Sequence, residues 1–158
     1  MKKILLSVIL LAAGIALRAQ TVTVNGLVAK PLQLTAADLS KMPQQTITAT
    51  DKDGKTHSYS GVPLFEILKA AGVPGGKELH GNNLAKYLLA QASDGYKVVF
   101  ALPEIDTTFN NRAFLLTTQM DGKPLPAGQG PFRLVVKEEK RPARWVRELI
   151  TLTIGEIK

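Results

Sequence analysis

From Thr21 onward, apolar and polar positions alternate in short runs that end at turn-forming pairs. Thr21-Val22-Thr23-Val24 alternates and meets Asn25-Gly26, which predicts a short strand and a turn, resumed over Leu27-Val28-Ala29 and broken at Pro31. Thr35-Ala36-Ala37-Asp38 has the form of a capping box with Asp in the third helical position, so a short helix is expected from Ala36 to Lys41. Two alternating runs, Gln45 to Asp51 and Lys55 to Ser60, flank Asp53-Gly54 and predict a hairpin. Gly61-Val62-Pro63-Leu64 then reads as a helix start with Pro in the first turn, where its missing N–H costs nothing. Leu64, Phe65, Leu68 and Ala71 share one face of that helix, and Gly72 ends it.

The second half repeats the pattern. Asp94-Gly95 separates Lys86–Ser93 from Tyr96–Ala101, a second hairpin. Pro103 to Asp106 is a helical turn, Phe114 to Met120 a strand, and Asp121-Gly122 a further turn. Pro124, Pro126, Gly128 and Gly130 make a stiff loop, followed by a strand over Phe132 to Val136 and a last strand over Leu149 to Ile154. Roughly seven strands with three short helices predict one α+β domain on a mainly antiparallel or mixed β-sheet.

The first nineteen residues follow a different rule. Lys2-Lys3 precede an apolar run from Ile4 to Leu17, and Ala19 offers a small residue for cleavage before Gln20. This is the pattern of a secretory signal peptide, so residues 1-19 are expected to be removed and 20-158 to form a single periplasmic or secreted domain. The apolar run is short for a bilayer span, and no stable membrane span is expected after cleavage. Loss of Lys2, Lys3 and Arg18 takes the formal charge from +7 to +4. That mild excess, without aromatic interleaving on a basic face, excludes a nucleic-acid footprint. Cysteine is absent from all 158 residues. An exported domain without disulfides must hold itself together by its core, and no thiolate exists to attack a substrate or bind a metal.

The densest chemistry lies in Gly130 to Val146, GPFRLVVKEEKRPARWV. Arg133, Arg141 and Arg144 are candidates to clamp a phosphate or carboxylate, since guanidinium offers paired donors to such groups. The plainer alternative is ion pairing with Glu138, Glu139 or Glu148 at the surface. Trp145, the only tryptophan, would stack on a flat ring or simply pack in the core. Asp94 is a candidate acceptor for a ligand, although Asp-Gly is also what a tight turn needs. Tyr96 offers a hydroxyl beside it. His57 and His80 lack any metal-ligand spacing, no Gly-x-Ser-x-Gly is present, and Glu104 with Asp106 reads as a solvated acidic corner.

GVPLFEILKAAGV, SDGYKVVFALPEID and DGKPLPAGQGPFRLVVKEEKRPARWVREL together resemble the molybdopterin-binding domain of sulfite-oxidase-type molybdenum oxidoreductases, over about Gly26 to Ile154. The short, single-domain, exported members are the nearest in form. The resemblance implies that fold, with a possible molybdopterin cofactor. It places Arg144-Trp145, Arg133, Asp94 and Tyr96 at a cofactor-binding edge, with Arg141 alongside. It also implies a metal-ligand cysteine after the Gln45–Thr50 strand, where this chain reads Thr48-Ala49-Thr50-Asp51. Cysteine-ligated molybdenum is therefore not expected. Three readings stay open: a binding module for a small anionic or pterin-like ligand, or for a periplasmic protein partner; a molybdopterin-dependent oxidoreductase using an oxygen ligand from Asp51, Thr50 or Ser60; and a structural or interaction domain whose site has decayed.

Overall fold

The structure is a computed structural model and describes residues 20–157. The expected signal peptide lies outside the described residues. The chain runs β1 (Thr21–Gly26), β2 (Leu32–Thr35), α1 (Ala36–Leu39), β3 (Gln45–Thr50), β4 (Thr56–Pro63), α2 (Leu64–Ala70), β5 (Lys86–Ala92), β6 (Lys97–Ala101), α3 (Leu102–Ile105), β7 (Phe114–Met120), β8 (Lys123–Pro124), β9 (Arg133–Val136) and β10 (Leu149–Glu156). A 3-10 turn over Pro142–Arg144 joins β9 to β10. The strands form two sheets. One has the order β2-β1-β10-β5-β6, in which only the β1–β10 pair is parallel. The other is antiparallel: β3 pairs β4, β4 pairs β7, and both β8 and β9 pair β7. The expected α+β class with a mainly antiparallel or mixed sheet is the observed one.

Alternation in sequence becomes alternation in burial. Val22 and Val24 are fully buried while Thr21 and Thr23 face outward. One continuous apolar cluster draws Val22, Leu88, Phe100, Leu152 and Ile154 from the first sheet and Tyr59, Val62, Leu116 and Leu134 from the second. Leu64, Ile67, Leu68 and Ala71 of the α2 region fill it further. The capping box is present: the Asp38 amide donates to Thr35 Oγ1 at 3.1 Å, and the Thr35 amide donates to Asp38 Oδ2 at 3.0 Å.

Three local expectations change. After Gly26 the strand does not resume over Leu27–Ala29; the chain reverses, and Leu32–Thr35 returns antiparallel along β1. Gly26 takes φ +86°, and a Cβ there would lie 2.2 Å from the Ile154 carbonyl oxygen, so the bend needs glycine. Second, Gly61–Pro63 is not the start of α2. These residues extend β4 against Leu115–Thr117, and Pro63 is the residue before the helix. Gly61 permits that pairing, because a Cβ would meet the Leu116 carbonyl oxygen at 2.1 Å. Third, the buried face of α2 uses Ile67, whereas Phe65 is only partly covered. Among the described residues no helix is long and apolar enough to cross a membrane.

Candidate functional site

Arg133 opens β9 and points into the protein rather than out. It is 1% exposed, one of the most buried large side chains. A bare guanidinium at such depth would be prohibitive, so its partners decide whether the fold tolerates it. Nη2 donates to Asp51 Oδ2 at 2.9 Å. Nη1 donates to Gln129 Oε1 and lies 3.4 Å from the Tyr59 hydroxyl. Its carbon centre sits 5.4 Å from the Tyr59 ring and 5.2 Å from the Trp145 ring. Those two rings meet edge-to-face at 5.7 Å and 85°. A guanidinium this close to two aromatic rings is attracted by their quadrupoles as well as by its ion pair.

Asp51 follows the last residue of β3 and is equally committed. Besides Arg133 it accepts from the Lys52 amide at 2.7 Å and from the Tyr59 hydroxyl at 3.1 Å, with Arg147 Nη2 3.5 Å from Oδ1. Burial pushes its carboxyl up, but the Lys52 amide and the Arg133 guanidinium outweigh burial, and the net shift is downward. Burial of Tyr59 pushes its phenol up to about 12, so Tyr59 stays a donor to Asp51 at any ordinary pH. Trp145 donates its indole N–H to the Val136 carbonyl at 2.8 Å, which fixes the ring against β9. Arg133 Nε is the buried side-chain atom left without a partner among the described residues.

This cluster forms part of the wall of a cavity of about 580 Å³. Five sequence candidates line it: Asp94, Tyr96, Arg133, Arg141 and Trp145. Arg144 does not. Its guanidinium turns away to Glu139 and to Glu104 Oε2 at 3.1 Å, and stacks 4.8 Å from the Phe100 ring. The Glu139 contact, with Glu104 beside it, raises its pKa against the opposing effect of burial. The expected surface pairing with glutamate therefore holds for Arg144 but not for Arg133, whose partner is Asp51. Asp94 Oδ1 accepts from the Tyr96 amide at 2.9 Å, as the tight turn requires, and Tyr96 donates its hydroxyl to the Ala143 carbonyl at 2.5 Å. That bond ties the second hairpin to the Pro142–Arg144 turn across the cavity mouth.

Lys52 and Arg147 also line the cavity and were not among the candidates. Lys52 sits in the first hairpin turn, far in sequence from the basic stretch, and no pattern linked the two. Arg147 lies just past Trp145 and was legible only as one more charge in a charged run. Exposed Lys52 and Arg141 form no ion pair with a described residue, so they present free cations at the rim. Thr48, Ala49 and Thr50 instead line a separate cleft of about 290 Å³ with Lys137–Lys140, which shares Asp51, Pro142 and Trp145 with the larger cavity.

The family described as the oxidoreductase molybdopterin binding domain matches residues 13–156. The chain belongs to this family. Among solved structures it is similar to the sulfane dehydrogenase SoxCD from Paracoccus pantotrophus, with a TM-score of 0.69 and 24% identity, covering 87% of this chain and 38% of that one. At that identity the likeness establishes the fold, and the chain spans well under half of the solved chain. No curated protein matches the sequence.

Whether a molybdopterin group suits this cavity divides into two questions. The metal does not fit the donor set. No cysteine exists to supply the soft thiolate such a centre favours, and the Asp51 carboxylate at the strand end is already saturated by Arg133, Tyr59 and Lys52. The described residues hold no group of three or more His, Cys, Asp or Glu placed for a metal. An anionic organic group does fit the rim, where Lys52, Arg141 and Arg147 outnumber Asp94.

Proposed function

We propose that this protein is an exported binding module of the molybdopterin-domain family that takes a small anionic, pterin-like ligand without a protein-ligated molybdenum centre. One observation carries the reading: an open cavity of about 580 Å³ is rimmed by free cations while its floor is closed by the Asp51–Arg133 pair. That volume suits a small organic ligand. Lys52, Arg141 and Arg147 would hold the anionic end. Trp145 is 5% exposed and occupied by Arg133, so it would offer the ligand an edge rather than a stacking face. Export is part of the same proposal. Its support is the N-terminal pattern ending at Ala19, and a mature chain beginning at Gln20 on N-terminal sequencing would bear it out.

The open cavity weighs against a decayed interaction domain, whose old site would be filled by side chains. The oxidoreductase alternative needs an oxygen ligand, and Asp51 is the nearest candidate, yet using it would strip Arg133 of its counter-charge. The test is titration calorimetry with a pterin phosphate against wild type, Arg141→Ala and Arg144→Ala. Arg141→Ala should lose about 1.5–3 kcal/mol of binding, the range for a charge-assisted bond, and Arg144→Ala should bind like wild type. Equal losses in both variants, or no binding by wild type, would overturn the assignment.

A further inference from the structure

Five strands border the two sheets: β2 and β6 in the first, and β3, β8 and β9 in the second, where β8 and β9 both lie along β7. Sheet edges carry unpaired N–H and C=O groups, and proteins that stay monomeric blunt them with short strands, lysine, proline or bulges. The outer side of β9 is taken up by Val146, which pairs with Leu134, and three of the other edges are blunted. β2 has four residues and follows Pro31; β8 has two, Lys123 and Pro124; β6 begins at exposed Lys97, and Glu104 caps its last amide at Ala101. β3 has none of these devices. It runs six residues, QTITAT, with no charge and no proline, and pairs with β4 one-to-one without a bulge.

The phase of its hydrogen bonds can be read from the hairpin. The Asp51 amide donates to the Lys55 carbonyl at 2.9 Å. In an antiparallel ladder the bonded pairs then recur every second residue, so Ala49, Ile47 and Gln45 bond β4 through their pairs His57, Tyr59 and Gly61. The backbone groups of Thr46, Thr48 and Thr50 point to the open side. No other hydrogen bond takes them up among the described residues. Their side chains are exposed on one face, in a hydroxyl ladder with β4: Thr46 Oγ1 lies 2.8 Å from Ser60 Oγ, and Thr50 Oγ1 3.1 Å from Thr56 Oγ1.

We infer that this edge pairs with the same edge of a second copy of the chain, antiparallel, about a twofold axis at Thr48. The pattern is its own complement. Setting Thr48 opposite Thr48 places Thr46 opposite Thr50 and brings three outward-facing pairs into register, for about six main-chain hydrogen bonds. The same register sets Gln45 of one copy opposite Asp51 of the other, and Lys52 opposite Gln44. A neutral strand meets itself without like-charge repulsion, and the exposed Lys52 cations stay at opposite ends of the pairing. Threonine opposite threonine is a favourable cross-strand pair. The second sheet then continues from one protomer into the next.

Sedimentation equilibrium on the mature protein, from low micromolar to submillimolar concentration, reads the result. Wild type should pass from monomer to dimer. Thr48→Lys sets two cations on the axis and should raise the dimer dissociation constant at least about tenfold. Thr48→Pro removes only an outward N–H, so it should do the same with an unchanged circular dichroism spectrum. Val99→Lys, on β6, should leave the dimer intact. A wild type that stays monomeric throughout overturns the inference, as does a dimer that survives Thr48→Lys or one that Val99→Lys abolishes.

Discussion

The floor and the rim of the cavity hold the same kinds of residue in opposite conditions. On the floor, Arg133 and Asp51 are 1% and 7% exposed and spend nearly every donor and acceptor on each other, Tyr59, Gln129 and Lys52. At the rim, Lys52 and Arg141 stand in solvent without a carboxylate partner among the described residues. Arg147 bridges the two, lining the cavity while its guanidinium reaches Asp51 at 3.5 Å. A buried charge pair gains little over apolar residues but is costly to break, whereas a free surface cation costs the fold almost nothing. The floor therefore serves the structure, and the rim is free to serve a ligand.

The largest expected effect comes from breaking the floor. Arg133→Ala or Asp51→Ala leaves one buried charge unmatched and should cost about 3–5 kcal/mol of stability in urea denaturation. The double variant Asp51→Leu, Arg133→Met should recover much of that loss, because neither desolvated charge remains. A double variant no better than the singles would mean that the contacts with the Tyr59 and Trp145 rings, rather than the ion pair, hold the floor. Next is Arg141→Ala, which should change stability by no more than about 0.5 kcal/mol while weakening anion binding. If it destabilises the fold as Arg133→Ala does, the contrast between floor and rim fails.

A smaller effect belongs to a clamp away from the cavity. His57 Nδ1 lies 2.6 Å from Asp121 Oδ2, and its Nε2 lies 3.7 Å from Asp53, which joins the first hairpin to the β7–β8 turn. The Asp121 hydrogen bond raises the imidazole pKa above its ordinary value, against the opposing effect of burial. A raised pKa in the folded state contributes stability that is complete below the unfolded value of about 6.5 and is lost as pH rises through the folded one. Asp121 shifts downward, chiefly through the Ser58 amide and then His57, so its contribution is present above the unfolded carboxylate range and lost as pH falls. The melting temperature should therefore decline slightly as pH rises above about 6.5, and His57→Gln should flatten that decline. An unchanged slope in the variant would place the titration elsewhere.

Much of the fold was legible because burial and turn chemistry are local. The Asp53-Gly54 and Asp94-Gly95 hairpins and the Thr35–Asp38 cap follow from residues a few positions apart. The misread places depended on distant partners. Gly61 belongs to a strand because Leu116 approaches it, and Gly26 turns the chain because Ile154 does. The same limit governs the cavity. Five of six candidates line it, since the second hairpin and the basic stretch each carry their own signal. Arg133 read as an anion clamp or a partner of a surface glutamate, because its true counter-charge lies 82 positions earlier, at the end of another strand. Arg144 read as cavity-facing because it adjoins Trp145, although Glu104 and Glu139 draw it outward.

Asp51, saturated by Arg133, Tyr59 and Lys52, leaves the cavity without a carboxylate to hold molybdenum. Elemental analysis of protein exported from a molybdenum-supplied host, with pterin fluorescence read after denaturation, tests it most directly. Molybdenum should fall far below one atom per chain, whether or not pterin is released. Stoichiometric molybdenum together with released pterin would contradict it and favour the oxidoreductase.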